Sequence, residues 1–161
     1  ENDKKSPYDF YGQTKSVGEE FISKNSLIIR TSIIGHEIKS KFGLLEWFFN
    51  SKKRISGYNG FNYSGLTTLE LQKYILFFLT QKKLTGIINI ASKQITKYEL
   101  LKIIKEVYNK KIIINKNRTV IKNMVLKSKR LKDRIIKKPQ NWKKQLEDLK
   151  EFYEEKYKYV K

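Results

Sequence analysis

The stretch YDFYGQTKSVGEEFISKNSLIIRTSIIG, residues 8–35, decides how the rest of the chain is read. Its first part carries helix-start signals. Ser6 is a suitable N-cap, Pro7 suits the first helical position and Asp9 the first turn. A helix is therefore expected from there to about Ser23, with Tyr11 and Lys15 one turn apart on one face. Its second part, LIIRTSIIG at 27–35, is a nearly continuous apolar, β-branched run closed by Gly35. That is the pattern of a strand buried on both faces in a parallel sheet.

The Tyr11–Lys15 spacing decides nothing alone. With 10 tyrosines and 35 Lys+Arg in 161 residues, chance supplies about two such helical pairs. Tyr98/Lys102 and Tyr157/Lys161 are two others. What separates the first pair is its setting, a glycine-bearing helix that runs into a buried strand.

Composition narrows the function. A chain of 161 residues fits one domain with a usable core, and 39% hydrophobic residues argue against disorder despite a net charge of +19. Cysteine is absent and His36 is the sole histidine, which excludes disulfides, thiolate zinc sites and multi-histidine centres. No apolar run is long enough to span a bilayer, and the polar start ENDKKSPYD is not a signal peptide; a cytoplasmic protein with no membrane partner is expected. The positive charge is mostly lysine scattered along the chain. The arginines, best suited to forked phosphate contacts, are only Arg30, Arg54, Arg118, Arg130 and Arg134. Solvated lysine faces are thus favoured over a nucleic-acid surface, for which the densest cluster is KSKRLKDRIIKK at 127–138.

Beyond Gly35 the chain alternates strands and helices. FGLLEWFFNSKK (42–53) reads as a short helix, and the Gly-, Asn- and Tyr-rich RISGYNGFNYSGL (54–66) as irregular chain with a short strand. Thr67-x-x-Glu70 and Thr96-x-x-Glu99 are capping-box patterns opening two further helices. GIINIAS (86–92) reads as a buried strand and IIIN (112–115) as a short one. NWKKQLEDLKEFYEEKY (141–157) is an amphipathic helix with Trp142, Leu146, Leu149 and Tyr153 on one face. The class is α/β. A nucleotide-binding α/β domain normally opens with a strand and a glycine-rich turn, and no such turn is present.

Taken together, Tyr11-Gly12-x-Thr14-Lys15-x-x-Gly18-Glu19 followed by Arg30-Thr31-Ser32 resembles the extended short-chain dehydrogenase/reductase family, in its dTDP-4-dehydrorhamnose reductase-like branch. Ser64-Gly65-Leu66-Thr67-Thr68-x-Glu70-Leu71 looks like the segment entering that family's substrate-domain helix. Leu126-Lys127-Ser128-Lys129-Arg130-Leu131 is similar to a late family motif. The resemblance covers the whole chain and corresponds to roughly the C-terminal half of such an enzyme. It implies the C-terminal part of a Rossmann-like domain (residues 1–35) joined to a small α/β substrate-binding part (residues 36–161). The glycine-rich turn and catalytic Ser/Thr would precede Glu1, so the chain is expected to need that N-terminal half as a partner, in the same or a separate chain, for activity. A homodimer is left open. One departure is Asn123-Met124-Val125-Leu126, where the branch often carries an arginine and an aspartate; the identity of the sugar stays open accordingly.

The chemistry implied is proton transfer from a phenol. A free tyrosine has a pKa of about 10, and an ammonium about 4 Å away at an effective dielectric of about 20 favours the phenolate by up to ~4 kcal/mol. The resemblance makes Tyr11 the proton donor to a keto group while NADP or NAD supplies hydride. Lys15 then tunes Tyr11 and holds the nicotinamide ribose. Ser32 maps to the nicotinamide end of the cofactor, Ile33 beside the sugar, and Arg130 to the nucleotide's diphosphate. Ser64 and Thr67 are candidate substrate contacts, with turn and capping roles as equal alternatives. His36 reads as a loop residue. The reaction so implied is NAD(P)H-dependent reduction of a nucleotide-linked 4-keto-6-deoxy sugar. A redox-neutral epimerase or dehydratase, or a non-catalytic nucleotide-sugar or nucleic-acid binding module, are the alternatives.

Overall fold

The computed structural model of the chain describes residues 3–7, 9–23, 25–81, 84–132 and 137–157, with 131, 132 and 157 as backbone only. Arg134, in the lysine-rich cluster, and Lys161 lie outside the described residues.

The first helix, α1, spans Phe10–Glu20, so it starts later and stops earlier than its sequence suggests. Asp9 rather than Ser6 is its N-cap, with extended backbone and a carboxylate that accepts from the Gly12 amide at 2.7 Å. A carboxylate at that place satisfies an orphan amide and complements the helix dipole, and Pro7 is left outside the helix.

The run 27–35 is not one strand. It divides into β1 (Leu27–Arg30) and β2 (Ile33–Ile34), because the chain changes partner between them. β1 pairs in parallel with β5 (Gly86–Asn89), from Leu27 opposite Gly86 to Arg30 opposite Asn89. β2 pairs in parallel with β4 (Leu66–Thr67). The parallel geometry agrees with the apolar pattern. Burial on both faces does not: β1 is half-buried throughout and Ile33 is exposed.

Between these pairs come α2 (Leu44–Asn50) and β3 (Arg54–Tyr63), a ten-residue strand where irregular chain with only a short strand was expected. β3 lies between β6 (Ile95–Thr96, antiparallel) and β7 (Ile113–Met124, parallel), and β7 is far longer than the IIIN run that announces it. Gly57 is what lets α4 (Lys97–Val107) cross β3 closely: a β-carbon there would stand 2.9 Å from the Tyr98 Cα. The glycines that look like turn residues are thus packing residues inside a sheet. A bulge shifts the β3–β7 register between Tyr58 and Gly60.

The helices α3 (Thr68–Leu79) and α6 (Trp142–Tyr157) complete the architecture, with a single turn, α5 (Lys129–Lys132), after β7. Both threonine caps are present. Thr96 and Glu99 form the full reciprocal box. Thr67 caps α3, but Glu70 does not reach back; its carboxylate takes the Gln140 amide at 2.9 Å and Lys73. One buried cluster joins α2, α4 and α6 through Leu45, Phe48, Leu100, Ile104, Trp142 and Leu146, while Leu66, Tyr74, Phe78, Ile88 and Ile90 form a second under β5. Among the described residues no helix is long and apolar enough to cross a membrane.

Candidate functional site

None of α1's residues is buried, so packing of an apolar stripe is not what holds it. It is held by charge. Glu19 receives both Nε and Nη2 of Arg30, at 2.7 and 2.6 Å, a forked pair across eleven residues that ties the end of α1 to the end of β1. Both side chains are less than a quarter exposed, and the Lys5 ammonium adds a contact to Glu19 at 3.1 Å. The Arg30 hydrogen bonds, ahead of all else, hold the Glu19 carboxyl below the usual carboxylate range. These two residues stand in the motifs that prompted the resemblance, but their pairing is not readable from spacing. A charged residue closing a strand, preceded by an acid in the last turn of the neighbouring helix, is the only sequence signal for it.

Along the exposed side of this fastened helix lie Tyr11, 71% exposed, and Lys15. The Lys15 ammonium stands over the Tyr11 ring, 5.3 Å from its centroid, so the contact is with the face of the phenol. Lys102 makes the same contact with Tyr98 at 5.8 Å. The pair's own geometry therefore does not separate it from the control pair. The clamp behind it and the strand after it do.

Past Arg30, Thr31 and Ser32 link β1 to β2. The Ser32 carbonyl accepts from the Leu66 amide at 2.8 Å, seating β2 against β4. Gly65 is required here: a β-carbon would collide with the Tyr63 hydroxyl and the Ser32 carbonyl. Ser32 and Ile33 are thereby brought to one corner with Ser64 and Thr67. Those last two are almost fully buried and already engaged. Ser64 Oγ accepts from the Leu126 amide at 2.8 Å. Thr67 Oγ1 accepts from the Glu70 amide, and the Thr67 amide donates to Gln145 Oε1 at 3.0 Å. Gln145, buried on α6, also donates to Ser92 Oγ at 2.6 Å and to the Gln140 carbonyl at 2.7 Å. Sequence patterns give no hint of this residue. Ser64, Thr67 and Gln145 form the rigid floor of the corner, while Ile33, 55% exposed, is its open side.

Arg130 is not at this corner's surface as a waiting fork. Its guanidinium donates to the carbonyls of Ile87, at 2.7 Å, and Thr85, at 3.1 Å, holding α5 against β5. His36 follows β2 in a loop, as expected, but its ring is well packed. It stacks on Tyr153 with centroids 3.9 Å apart, contacts Glu46 at 3.3 Å and Tyr108 Oη at 3.0 Å, and burial lowers its pKa.

No protein-family model matches the chain, and no curated protein sequence does. Solved structures match in fold. A dTDP-4-dehydrorhamnose reductase from Clostridium acetobutylicum superposes with a TM-score of 0.83 at 18% identity, over 96% of this chain and 59% of its own. The Bacillus anthracis dTDP-4-dehydrorhamnose reductase, in complex with NADP, gives 0.78 at 19% identity, over 91% and 56%. A UDP-N-acetylglucosamine 4-epimerase from Methanobrevibacter ruminantium gives 0.71 at 19% identity, over 95% and 56%. The chain thus has the α/β fold of the C-terminal part of such extended short-chain dehydrogenase/reductase structures, and it spans a little over half of their length.

Proposed function

We propose that this chain is the substrate-side portion of an NAD(P)H-dependent reductase acting on a nucleotide-linked 4-keto-6-deoxy sugar, similar to a dTDP-4-dehydrorhamnose reductase. The observation that carries the reading is the Glu19–Arg30 clamp, which fixes the helix bearing Tyr11 and Lys15 against a parallel strand leading to Thr31-Ser32. In this reading residues 1–35, joined by β5, complete the dinucleotide-binding sheet, and 36–161 otherwise serve the nucleotide sugar. The remainder of that sheet and the phosphate-cradling turn come from a further dinucleotide-binding half. A cytoplasmic location suits the substrates.

The donor set fits the nicotinamide-ribose end of a dinucleotide. Tyr11 offers a hydroxyl, Lys15 an ammonium, and Ser32 a hydroxyl with no partner among the described residues. When bound, the reduced nicotinamide supplies the hydride. Tyr11 Oη gives its proton to the keto oxygen, and Lys15, turned from the ring face toward that oxygen, offsets the charge left on the phenolate. Ile33 borders the sugar. Ser64 and Thr67 keep the corner rigid beneath it, and Arg130 acts as a fastener of β5 in place of the diphosphate contact its type suggests.

The test is binding. Titrating dTDP and a dTDP-sugar against the chain, followed by amide NMR, is expected to shift Ser32, Ile33 and their β4 neighbours, while NADPH alone binds weakly. Submicromolar NADPH affinity for the chain would contradict the assignment of the phosphate cradle to another segment. The redox-neutral epimerase reading, which draws on the fold shared with the 4-epimerase, differs in consuming no net NAD(P)H.

A further inference from the structure

We infer that Lys97 is an acylation site of this protein, its amine taking the acyl group of a small acyl phosphate. The inference does not depend on the reductase reading.

Lys97 opens α4, and its ammonium stands 4.9 Å from the Tyr63 ring centroid and 5.3 Å from that of Phe61. Among the described residues no carboxylate lies within ion-pair reach of it. Lys73, Lys143 and Lys144 by contrast each hold one, at 2.9, 2.6 and 2.9 Å. The acid nearest in sequence, Glu99, is turned back to the Thr96 amide and hydroxyl at 3.0 and 2.9 Å. Three further ammoniums stand around the niche. Lys122 on β7 places its ammonium 5.9 Å over Phe61, and Lys116 and Lys102 lie over the adjoining Tyr98.

Three effects then favour the neutral amine. Burial of the side chain disfavours its charge and lowers its pKa, whereas neighbouring carboxylates raise those of Lys73, Lys143 and Lys144. The first residue of a helix faces the positive end of the helix dipole. Lys122 repels a second cation at the same ring. The ring contacts act the other way, favouring the ammonium, but they also hold the side chain in one place at a half-buried site.

The reaction balances without a redox partner. The amine lone pair attacks the carbonyl carbon, the C–N bond forms, and the C–O bond to phosphate breaks. Phosphate leaves with that electron pair, and the amine's surplus proton goes to solvent. The surrounding ammoniums attract an anionic donor and stabilise the departing phosphate, which is why an acyl phosphate suits the niche better than a neutral donor. The resulting amide removes a cation from the helix start.

The test treats the whole folded chain with limiting acetyl phosphate at mildly alkaline pH and maps acetylated lysines by peptide mass spectrometry. Lys102, on the same helix and over one ring, is the internal reference. Lys97 is expected to react at least about threefold faster, its larger share of free amine outweighing a lower intrinsic nucleophilicity of the kind seen for thiols. The preference should vanish in the urea-unfolded chain and shrink with neutral acetylimidazole. A Lys97 rate at or below that of Lys102 would overturn the proposal, as would a preference that survives unfolding. An equal or larger preference for acetylimidazole would overturn the donor class.

Discussion

Replacing Glu19 with Gln tests the part of the structure on which the candidate site rests. The substitution keeps shape and one acceptor but removes the charge that receives Arg30 Nε and Nη2 at 2.7 and 2.6 Å. Exposed pairs are worth about 0.2–1 kcal/mol and truncation of a fully buried one costs about 3–5. The side chains are 15% and 23% exposed, so this clamp falls between those limits, and we expect a loss of about 2 kcal/mol at neutral pH. Its pH dependence follows from the direction of the Glu19 shift. The folded carboxyl titrates below the unfolded value of 4.5, so the fold gains stability above 4.5 and loses it as pH falls through the folded value. Urea unfolding of both proteins, repeated from neutral to acid pH, should show a gap that closes at acid pH. A gap of constant size would mean the substitution disturbs packing, and a loss under about 0.5 kcal/mol would mean the pair is an ordinary surface contact.

Three other expectations concern the packing around the site. Gly57→Ala puts a β-carbon 2.9 Å from the Tyr98 backbone, so α4 must shift; thermal unfolding should show a loss of about 1–3 kcal/mol, and an unchanged midpoint would refute the close crossing. Gln145→Leu leaves the buried Thr67 amide and Ser92 hydroxyl without their partner and should cost about 2–3 kcal/mol by denaturant titration, against a near-zero change if that contact is incidental. His36 has its folded pKa lowered by burial, so its packing loses stability as pH falls through the unfolded value of 6.5. His36→Phe should flatten the stability profile between about pH 7 and 5, a window above that of Glu19, and an unaltered slope there would place the histidine's titration elsewhere.

What was legible in the chain follows from where the signal is local. The Thr96–Glu99 box and the α6 stripe of Trp142, Leu146 and Leu149 depend on residues within one or two turns, and both are realised. The parallel nature of β1 and β2 was legible from their apolar run, but the break at Thr31-Ser32 was not, because it reflects a change of partner from β5 to β4. Only the start of β7 was legible, in the IIIN run, because lysines and asparagines interrupt its β-branched residues beyond that; its pairing to β3 comes from a strand more than fifty residues away. Within the candidate site, Tyr11, Lys15 and Ser32 are proposed from motif context. Glu19 with Arg30, and Gln145 with Thr67, are long-range pairs that no spacing rule reports. Arg130 shows the converse failure, since a forked cation suits backbone carbonyls as well as it suits phosphate.

Hydride transfer to a keto sugar, coupled to a proton from Tyr11, is measured most directly as NADPH oxidation. The assay joins this chain to a dinucleotide-binding half, supplies a dTDP-4-keto-6-deoxy sugar, and compares the parent protein with Tyr11→Phe. Stoichiometric oxidation by the parent and its abolition in the folded variant are predicted; an undiminished rate without the Tyr11 hydroxyl would contradict the mechanism.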